Sequence, residues 1–402
     1  MSRIKIKNFG PIKEGYIEDD GWISIDKVTV FIGNQGSGKS TVAKLISTFS
    51  WIEKAIFRGD LDGALSRNEI EEQLKYHRIN HYLKNNTQIE YEGDILKIKY
   101  TKNTIPHFEN VDNTVVLVPQ IIYIPAERSI LSIVPNLNSI KGLPDALQDF
   151  AIEFKNAQIK YANHPFILPI GNVKYEYNSN NDLSIIKGND FRIGLHEAAS
   201  GFQSYIPMYL VVSNLIVQLH EGSKTLDVSQ FLRSVEEKNN IIKDSSLSNE
   251  EKRIKILEID NKYTNSFLIN IVEEPELNLF PTSQWEMLKS LLEANNSIDK
   301  NKLIITTHSP YIVNYLSLAV QAASLKDVIS DDGLRDRLNS IVPLTSTVNA
   351  SDLVIYEMNE ITGTITKLGN YEGIPADQNY LNQSLVEGNR LFDALLEIEQ
   401  EL

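Results

Sequence analysis

Residues 31–41 read FIGNQGSGKST, and this stretch decides the fold of the chain. Gly33, four further residues and then Gly38, Lys39 and Ser40 form the pattern G-x-x-x-x-G-K-[ST], which is typical of a phosphate-binding loop. Glycines allow consecutive backbone N–H groups to face the phosphate oxygens, where side chains would clash. In such a loop the lysine reaches the β- and γ-phosphates, and the serine hydroxyl binds Mg²⁺.

The segments on either side of the loop support this prediction. Residues 28–32 (VTVFI) read as a buried strand, and residues 40–49 (STVAKLISTF) read as an amphipathic helix. A helix that begins at the loop adds the positive end of its dipole to the phosphate site. The residues predicted to bind the phosphates are Gly33, Asn34, Gln35, Gly36, Ser37, Gly38, Lys39, Ser40 and Thr41.

Two carboxylates follow an apolar run later in the chain. Residues 267–272 (FLINIV) predict a buried parallel strand, and Glu273 and Glu274 come directly after it. One carboxylate there can complete the Mg²⁺ shell with Ser40, and the next can polarise the water that attacks the γ-phosphate. Glu273 is therefore predicted as a metal ligand and Glu274 as a catalytic residue. The alternative is a solvated acidic loop, because the turn at Pro275 fits both interpretations.

A histidine follows the next predicted strand. Residues 302–305 read as that strand and lead through Thr306 and Thr307 to His308. A histidine at a strand end can contact the γ-phosphate and respond to its hydrolysis. A lone histidine is more often structural, but His308 follows the acidic strand by about the length of one helix.

Residues 199–204 (ASGFQS) open an apolar helix over residues 202–219. Ser200, Gly201 and Gln203 match the S-G-x-Q core of the ABC-type signature sequence; taken alone, they also fit a helix capped at Ser200. With the other three motifs in this order, the chain resembles an ABC-type ATPase of the SMC and overcoming-lysogenisation-defect clade. It is most similar to the ATPase component of two-gene phage-defence systems of the PARIS or Septu type.

Four stretches carry this resemblance: IKIKNFGPI from residue 4, YIPAERS from residue 123, EEPELNLFP from residue 273 and TTHSPYIV from residue 306. The resemblance implies an α/β fold, namely a P-loop NTPase head of the ABC type with a mixed central sheet, an antiparallel β subdomain and a helical signature lobe. The expected segments are a first ATPase lobe (1–125), a helical signature lobe (126–265) with a charged insertion (221–265), the continued ATPase lobe (266–345) and a C-terminal hairpin and helix (346–402). Within them the residues themselves predict a helical segment over 51–83, an antiparallel hairpin over 88–100, breaks at Pro135 and Pro144 and short strands over 172–194.

The resemblance also implies how ATP is bound. Two heads pack head to tail as a homodimer, or within a larger homo-oligomer, and each ATP touches one phosphate loop and the other head's signature. ATP and Mg²⁺ are the implied ligands. By this resemblance, Lys39, Ser40 and Thr41 are expected to bind phosphate and Mg²⁺, and Ser200, Gly201 and Gln203 to contact the partner's ATP. Glu274 is the expected catalytic residue, residues 276–278 cross the dimer interface, and His308 has a switch role.

Two positions depart from the family pattern. Glu273 stands where many relatives have Asp, so Mg²⁺ is expected to be held through water. The residue that replaces the family's loop glutamine stays open, because Gln120 precedes the strand 121–124 and leaves Glu127 or Arg128 as candidates.

Composition restricts the remaining possibilities. The 402 residues are 42% hydrophobic, which supports a large core, and no apolar run of eighteen residues occurs. The first ten residues lack the apolar segment of a signal peptide, so we expect a cytoplasmic protein without a membrane segment. The absence of cysteine excludes disulfides and a zinc hook. A formal charge of −14 gives no global attraction to nucleic acid, although a local basic groove stays possible.

Two peripheral segments bear on partners. The insertion 221–265 carries charges of both signs and is predicted to be an exposed helical segment. Residues 384–388 (SLVEG) resemble the opening of a TOPRIM nuclease, but a single aspartate, Asp393, follows, so the paired-aspartate metal motif is missing. Residues 382–402 are better interpreted as an amphipathic helix. It either packs on the chain's own head or binds a partner.

Two functions from different classes remain. The first is an ATP-driven switch that controls a separately encoded effector, a nuclease or a toxin, in phage defence. The second is a DNA-repair or DNA-structural ATPase that acts directly on nucleic acid. A transporter ATPase is a weaker third. The segment 129–195 is too short for the long coiled-coil arms of SMC proteins. The chain also lacks the cysteines of a zinc hook and an excess of basic charge, and together these features favour the switch.

Overall fold

The computed structural model describes residues 2–111, 116–134, 142–162, 164–222, 226 and 228–400. The strands within these ranges are β1 Arg3–Phe9, β2 Gly15–Tyr16, β3 Ile23–Ser24, β4 Val28–Gly33, β5 Leu83–Glu92, β6 Leu96–Thr101, β7 His107–Asn110, β8 Val118–Ile124, β9 Phe166–Ile167, β10 Lys174–Asn178, β11 Leu183–Lys187, β12 Arg192–Gly194, β13 Asn265–Glu273, β14 Lys302–Thr307, β15 Leu353–Met358, β16 Thr364–Lys367, β17 Asn370–Tyr371 and β18 Ile374–Pro375. The α-helices are α1 Lys39–Arg58, α2 Arg67–Lys75, α3 Ile130–Ile133, α4 Asp145–Lys160, α5 Ser200–His220, α6 Val228–Lys243, α7 Asn249–Lys262, α8 Pro281–Asn296, α9 Pro310–Val328, α10 Asp332–Ile341 and α11 Tyr380–Gln400.

The central sheet has the strand order β2-β16-β15-β4-β14-β13-β8. Neighbouring strands from β15 to β8 pair in parallel, whereas β16 pairs antiparallel with β15, so the predicted mixed sheet is confirmed. The carboxyl ends of parallel strands meet at one edge of a sheet. The loop after β4, the carboxylates at the end of β13 and the histidine after β14 therefore lie at the same edge.

A second sheet is antiparallel, with the order β3-β1-β5-β6-β7, and confirms the predicted antiparallel subdomain. Its apolar side chains form one core with α1 and one face of the central sheet. The β5–β6 hairpin is fixed to α1 because Oε1 of the buried Glu53 accepts hydrogen bonds from the backbone N–H groups of Ile95 and Leu96, at 2.7 and 2.9 Å. Residues 51–83 were predicted to be helical; in the structure, residues 59–66 separate α1 from α2.

The opposite face of the central sheet packs against the helices α4, α5, α8 and α9. A small antiparallel sheet of order β12-β11-β10-β9 joins this lobe, as the short strands predicted between residues 172 and 194 indicated. The predicted signature helix is confirmed, and it begins at Ser200 and ends at His220. The predicted helix break at Pro135 lies outside the described residues.

The charged insertion forms a helical pair in its described part, as predicted. Ion pairs join α6 to α7, with Lys238 2.9 Å from Asp260 and Lys262 2.9 Å from Glu237. Several apolar side chains of this pair are nevertheless exposed: Val228, Phe231, Leu232, Ile242, Ile254 and Leu257.

The C-terminal segment begins with the predicted hairpin, β15 and β16. Residues 384–388 lie inside α11, so the strand that would open a TOPRIM nuclease is not formed. The apolar side chains of α11 do not pack on the head within residues 386–400, which contradicts docking onto the chain's own surface. The exposed side chains there are Val386, Leu391, Phe392, Leu395, Leu396 and Ile398. None of the helices in the described ranges is both long and apolar enough to cross a membrane.

Candidate active site

The loop between β4 and α1 has the backbone that its glycines predict. Gly33 has a φ of 144° and Gly38 a φ of 102°, values that residues with a side chain rarely adopt. A Cβ atom on Gly33 would also lie 2.3 Å from the carbonyl oxygen of Met358 on the neighbouring strand β15. Both glycines are therefore required by the fold as well as by the predicted phosphate contacts.

Lys39, the first residue of α1, is buried at the centre of this loop. Its Nζ donates hydrogen bonds to the carbonyl oxygens of Gly33 at 2.8 Å and Asn34 at 2.9 Å. Burial lowers the pKa of Lys39 to about 8, although the charge of Glu274 and other carboxylates opposes this shift. The amine is therefore a cation in a partly desolvated position, where it interacts strongly with phosphate.

The two carboxylates of β13 take different positions. Glu273 is buried, and its Oε1 makes no hydrogen bond within the described residues. Glu274 is 33% exposed, and its Oε1 lies 3.6 Å from Nε2 of His308. Burial raises the pKa of Glu274, and the neighbouring charge of Glu273 raises it further. The solvated acidic loop considered from the sequence is therefore wrong, because one carboxylate is buried and the other is half-buried.

His308 lies between the lysine and the outer carboxylate. Its Nδ1 is 3.5 Å from Nζ of Lys39, and its backbone N–H donates to Oε1 of Glu276 at 2.8 Å. The same Glu276 oxygen accepts a hydrogen bond from the hydroxyl of Thr307 at 2.7 Å. Burial, followed by the charge of Lys39, lowers the pKa of His308. A neutral imidazole is therefore held between the two charged side chains at neutral pH.

The signature residues begin α5. Ser200 is the first helical residue and is exposed, so the alternative in which it caps the helix is wrong; Ala199 precedes the helix without a side-chain cap. A Cβ atom on Gly201 would lie 2.9 Å from the carbonyl oxygen of Asn278, so Gly201 packs closely on the segment after β13. The buried Gln203 donates from Nε2 to the carbonyl oxygen of His196 at 3.0 Å. Its amide thereby fixes the turn before α5.

Arg128 is a residue whose role the sequence left open. It is fully buried, and its guanidinium donates to the carbonyl oxygens of Glu273 and Glu274, each at 2.7 Å. Gln120 lies inside β8 beside Leu268, near the end of the strand away from the carboxylates. Glu127 is exposed but close enough for its charge to raise the pKa of Glu274. The signal for Arg128 in the sequence was its place in the short turn that follows β8.

The loop is also connected to the C-terminal segment, which no local pattern indicated. Nδ2 of Asn34 donates to Oε1 of Glu360 at 3.1 Å. The hydroxyl of Tyr380, the first residue of α11, donates to the same Glu360 oxygen at 3.0 Å, and its backbone N–H donates to Glu357 at 2.8 Å. The base of α11 is therefore fixed beside the phosphate loop.

Unpaired buried polar atoms at this edge of the sheet fit a nucleotide with Mg²⁺. The side-chain atoms that are buried there without a hydrogen-bond partner in the described residues are Ser37 Oγ, Glu273 Oε1, Glu276 Oε2 and Thr306 Oγ1. Unpaired buried oxygens cost free energy, so a ligand that satisfies them is favoured. The hydroxyl of Ser40 at the start of α1 and the carboxylate of Glu273 are the oxygens that would hold Mg²⁺, together with phosphate oxygens and water.

Known proteins that resemble this chain include one protein family and several solved structures. The AAA ATPase domain family matches residues 65–313. No curated protein matches the sequence significantly. Similar solved structures include the SMC head domain from Thermotoga maritima, with 10% identity, 92% of this chain and 98% of that chain covered and a TM-score of 0.40. Another is a nucleotide-free ATP-binding cassette from an ABC transporter, with 14% identity, 93% and 94% covered and a TM-score of 0.30.

Proposed function

The chain belongs to the AAA ATPase domain family and is an ATPase, and from that premise we propose that it is a nucleotide-driven switch of the ABC type in the cytoplasm. Two copies would close on ATP and control a separate effector, a nuclease or a toxin, in defence against phage. The observation that carries the proposal is a group of three side chains at one edge of the sheet. Nδ1 of His308 lies 3.5 Å from Nζ of Lys39, and its Nε2 lies 3.6 Å from Oε1 of Glu274.

Each residue of the site has a distinct task in hydrolysis. The backbone N–H groups of the loop and the amine of Lys39 would bind the phosphates, and Ser40 and Glu273 would hold Mg²⁺. The bound Mg²⁺ supplies neutralisation of phosphate charge. Glu274 accepts a hydrogen bond from the attacking water and takes its proton, and its raised pKa makes it a better base at neutral pH than an ordinary carboxylate. Neutral His308 can donate a hydrogen bond to the γ-phosphate while Glu276 holds its backbone.

The signature residues support a site completed by a second copy. Ser200 is exposed at the N-terminus of α5, where the first N–H groups of a helix lack intrahelical partners and favour an anion. Gly201 packs against Asn278, so the signature and the segment 276–278 form one continuous surface. We propose that this surface faces the phosphate loop of the partner copy, which gives a symmetric, head-to-tail dimer with two ATPs.

Two exposed apolar surfaces support a separate effector. The first is the apolar face of α11, whose base is bonded to the phosphate loop through Glu360. The second is the apolar side chains of α6 and α7. Exposed apolar faces of this kind are typical of interaction sites. Nucleotide contacts that move Asn34 would displace Glu360 and Tyr380, and thereby the base of α11.

The mass of the particle in solution tests the switch. Glu274→Gln with ATP and Mg²⁺ should form a larger species than the same variant without nucleotide, because ATP joins the copies and is not hydrolysed. Lys39→Ala should not show this increase under the same conditions. Light scattering coupled to size-exclusion chromatography measures both. An unchanged mass for Glu274→Gln at saturating ATP contradicts the nucleotide-driven assembly.

A nuclease assay on the purified chain separates the switch from direct action on nucleic acid. No group of three or more His, Cys, Asp or Glu residues in the described part of the chain could hold a metal ion by itself. As a switch that acts through a separate effector, the chain alone should hydrolyse ATP slowly and leave DNA and RNA intact. Metal-dependent cleavage that is lost on a substitution outside the ATP site would favour an enzyme that acts on nucleic acid directly.

A further inference from the structure

Arg128 binds three separate parts of the chain through their carbonyl groups. Nε donates to the carbonyl oxygen of Ser204 in α5 at 2.9 Å, and Nη1 donates to that of Pro125 at 3.1 Å. Nη1 and Nη2 donate to the carbonyl oxygens of Glu273 and Glu274, each at 2.7 Å. These four acceptors are backbone carbonyl oxygens, so this arginine fixes the path of the main chain and does not pair with one particular carboxylate.

The backbone that Arg128 holds at the end of β13 is strained. Glu274 has a φ of 44°, in the left-handed region that is unfavourable for a residue with a side chain. Its N–H donates to the carbonyl oxygen of Thr306 at 2.9 Å, and its own carbonyl oxygen accepts from Arg128. Both peptide groups of Glu274 are thus fixed, and with them the direction in which the carboxylate leaves the chain.

The other end of the arginine fork holds the first turn of the signature helix. Pro207 inside α5 has no N–H, so the carbonyl oxygen of Gln203 lacks its helical donor. The hydroxyl of Ser132 donates to that oxygen at 2.8 Å, and Arg128 binds the next carbonyl, that of Ser204. Ser204 follows Ser200 by one helical turn. A movement of Ser200 would therefore move an acceptor of Arg128.

Charge and shape explain why this residue is an arginine. A fully buried cation is costly unless neighbouring charges and hydrogen bonds offset its desolvation. The carboxylates of Glu276, Glu274, Glu273 and Glu127 oppose the effect of burial, which lowers the pKa of Arg128 to about 10, so it stays charged at neutral pH. A lysine would keep this charge but has a single ammonium group, which cannot reproduce the planar fork of donors.

We propose that Arg128 is a positioning residue that transmits the placement of the signature helix to the catalytic carboxylate of Glu274. When a partner's ATP binds at Ser200, the first turn of α5 moves, and Arg128 carries that movement to the carbonyl groups of Glu273 and Glu274. The inference rests on the proposed function, because it takes Glu274 as the base and Ser200 as the contact to the second copy. Of the two candidates for the position of the loop glutamine, Glu127 and Arg128, the inference selects Arg128.

Steady-state ATPase kinetics and ATP affinity of Arg128→Lys test the proposal. We expect kcat to fall by about 10²-fold, because a small misplacement of a catalytic group has that effect. The Kd for ATP should stay within about threefold, since Arg128 touches neither the phosphate loop nor Lys39. Arg58→Lys is the matched control: Arg58 is also a buried arginine, and it donates to the carbonyl oxygen of Lys262 at 3.2 Å and to Oδ1 of Asn265 at 2.6 Å, at the end of β13 away from the carboxylates. Its kcat should stay within about twofold of the parent. An unchanged kcat in folded Arg128→Lys, or a loss of ATP affinity equal to the loss of kcat, overturns the proposal.

A double-mutant cycle with Glu274→Gln shows whether Arg128 acts through Glu274. Residues that work as a unit have non-additive effects, so adding Arg128→Lys to Glu274→Gln should cost little further rate. Fully additive losses contradict the coupling. The cycle also separates the two proposals: a wild-type rate for Glu274→Gln alone overturns the proposed catalytic base, whereas a low rate for Glu274→Gln with a normal rate for Arg128→Lys overturns only the positioning role.

Hydrogen exchange on the unaltered chain keeps the test independent of how the variants fold. Peptides that contain Ser204 and peptides that contain Glu273 and Glu274 should change their protection together when a non-hydrolysable ATP analogue and Mg²⁺ are added. The control is ADP with Mg²⁺, which should produce a smaller change in both. A change in the signature peptides without one in the catalytic peptides overturns the proposed connection.

Discussion

Nε2 of His308 lies 3.6 Å from Oε1 of Glu274, although 33 residues separate the two strand ends along the chain. The contact follows from the parallel pairing of β13 with β14, in which Glu273 lies beside Thr306. The carboxylate of Glu274 and the imidazole of His308 are therefore neighbours because of the strand pairing itself. The predictions below concern the chemistry of this pair and the residues around it.

Glu274→Gln should reduce kcat for ATP hydrolysis by about 10²- to 10⁴-fold, the usual contribution of a general base. The amide keeps the size of the side chain but cannot accept the proton of the attacking water. ATP affinity should change little, because the loop and Lys39 are untouched. Single-turnover hydrolysis and equilibrium binding of a fluorescent ATP analogue measure the two quantities. Hydrolysis at the parental rate would show that another residue is the base.

Lys39→Ala should weaken nucleotide binding itself. The buried amine lies inside the loop, where it donates to the carbonyl oxygens of Gly33 and Asn34 and lies 3.5 Å from Nδ1 of His308. Lys97→Ala is the matched control, because Lys97 is on the outer antiparallel sheet with a side chain that is 45% exposed. Calorimetric titration with Mg²⁺ and ATP should show a loss for Lys39→Ala only. Equal affinities in the two variants contradict the phosphate-loop assignment.

ATP affinity should fall as the pH rises through the alkaline range. The pKa of Lys39 is lowered to about 8, so the free protein loses this positive charge above that pH. Phosphate binding favours the charged form, and the apparent Kd should therefore increase by up to about tenfold per pH unit above the pKa. The Lys39→Ala variant should lack this pH dependence. A Kd that stays constant from pH 7 to pH 10 in the parent would show that the amine keeps its charge throughout.

Mixing two inactive variants should restore activity if the sites are shared between copies. Lys39→Ala damages the phosphate loop of its own copy, and Ser200→Arg damages the surface offered to the partner. A mixed dimer then keeps one intact composite site of two, and random pairing gives about a quarter of the parental activity. ATPase assays of the mixture and of each variant alone provide the comparison. No recovery, with mixed dimers shown to form by tag capture, would mean that each site is completed within one chain.

The apolar face of α11 should be tolerant of polar substitution as far as stability is concerned. Leu395 is 63% exposed, so Leu395→Glu should shift Tm by no more than about 2 °C, as is usual for surface positions. Leu316→Ala is the opposite control, because Leu316 is fully buried in α9 and its truncation leaves a cavity. Differential scanning calorimetry measures both. A large loss of Tm for Leu395→Glu would show that α11 packs on its own head in solution.

The sequence alone predicted the parts of this protein that depend on local pattern. The phosphate loop, the strand before it, the helix after it, the carboxylates that end β13 and the hairpins at β5–β6 and β15–β16 were all predicted. Each depends on residues close in sequence, where alternation, glycine conformation and strand ends decide the backbone. The order of the parallel strands in the sheet was not predicted from the sequence.

Tertiary structure decided which distant groups meet and which surfaces stay open. The hydrogen bonds from Arg128 to Glu273, Glu274 and Ser204 join segments separated by 76 to 146 positions along the chain. The connection from Asn34 through Glu360 to Tyr380 joins the two ends of the chain in the same way. The hydrophobic periodicity of a sequence does not indicate such contacts, because they depend on how whole strands and helices are arranged. The exposure of the apolar face of α11 was also decided by tertiary packing. The sequence pattern predicted an amphipathic helix but did not predict whether its apolar face would be covered.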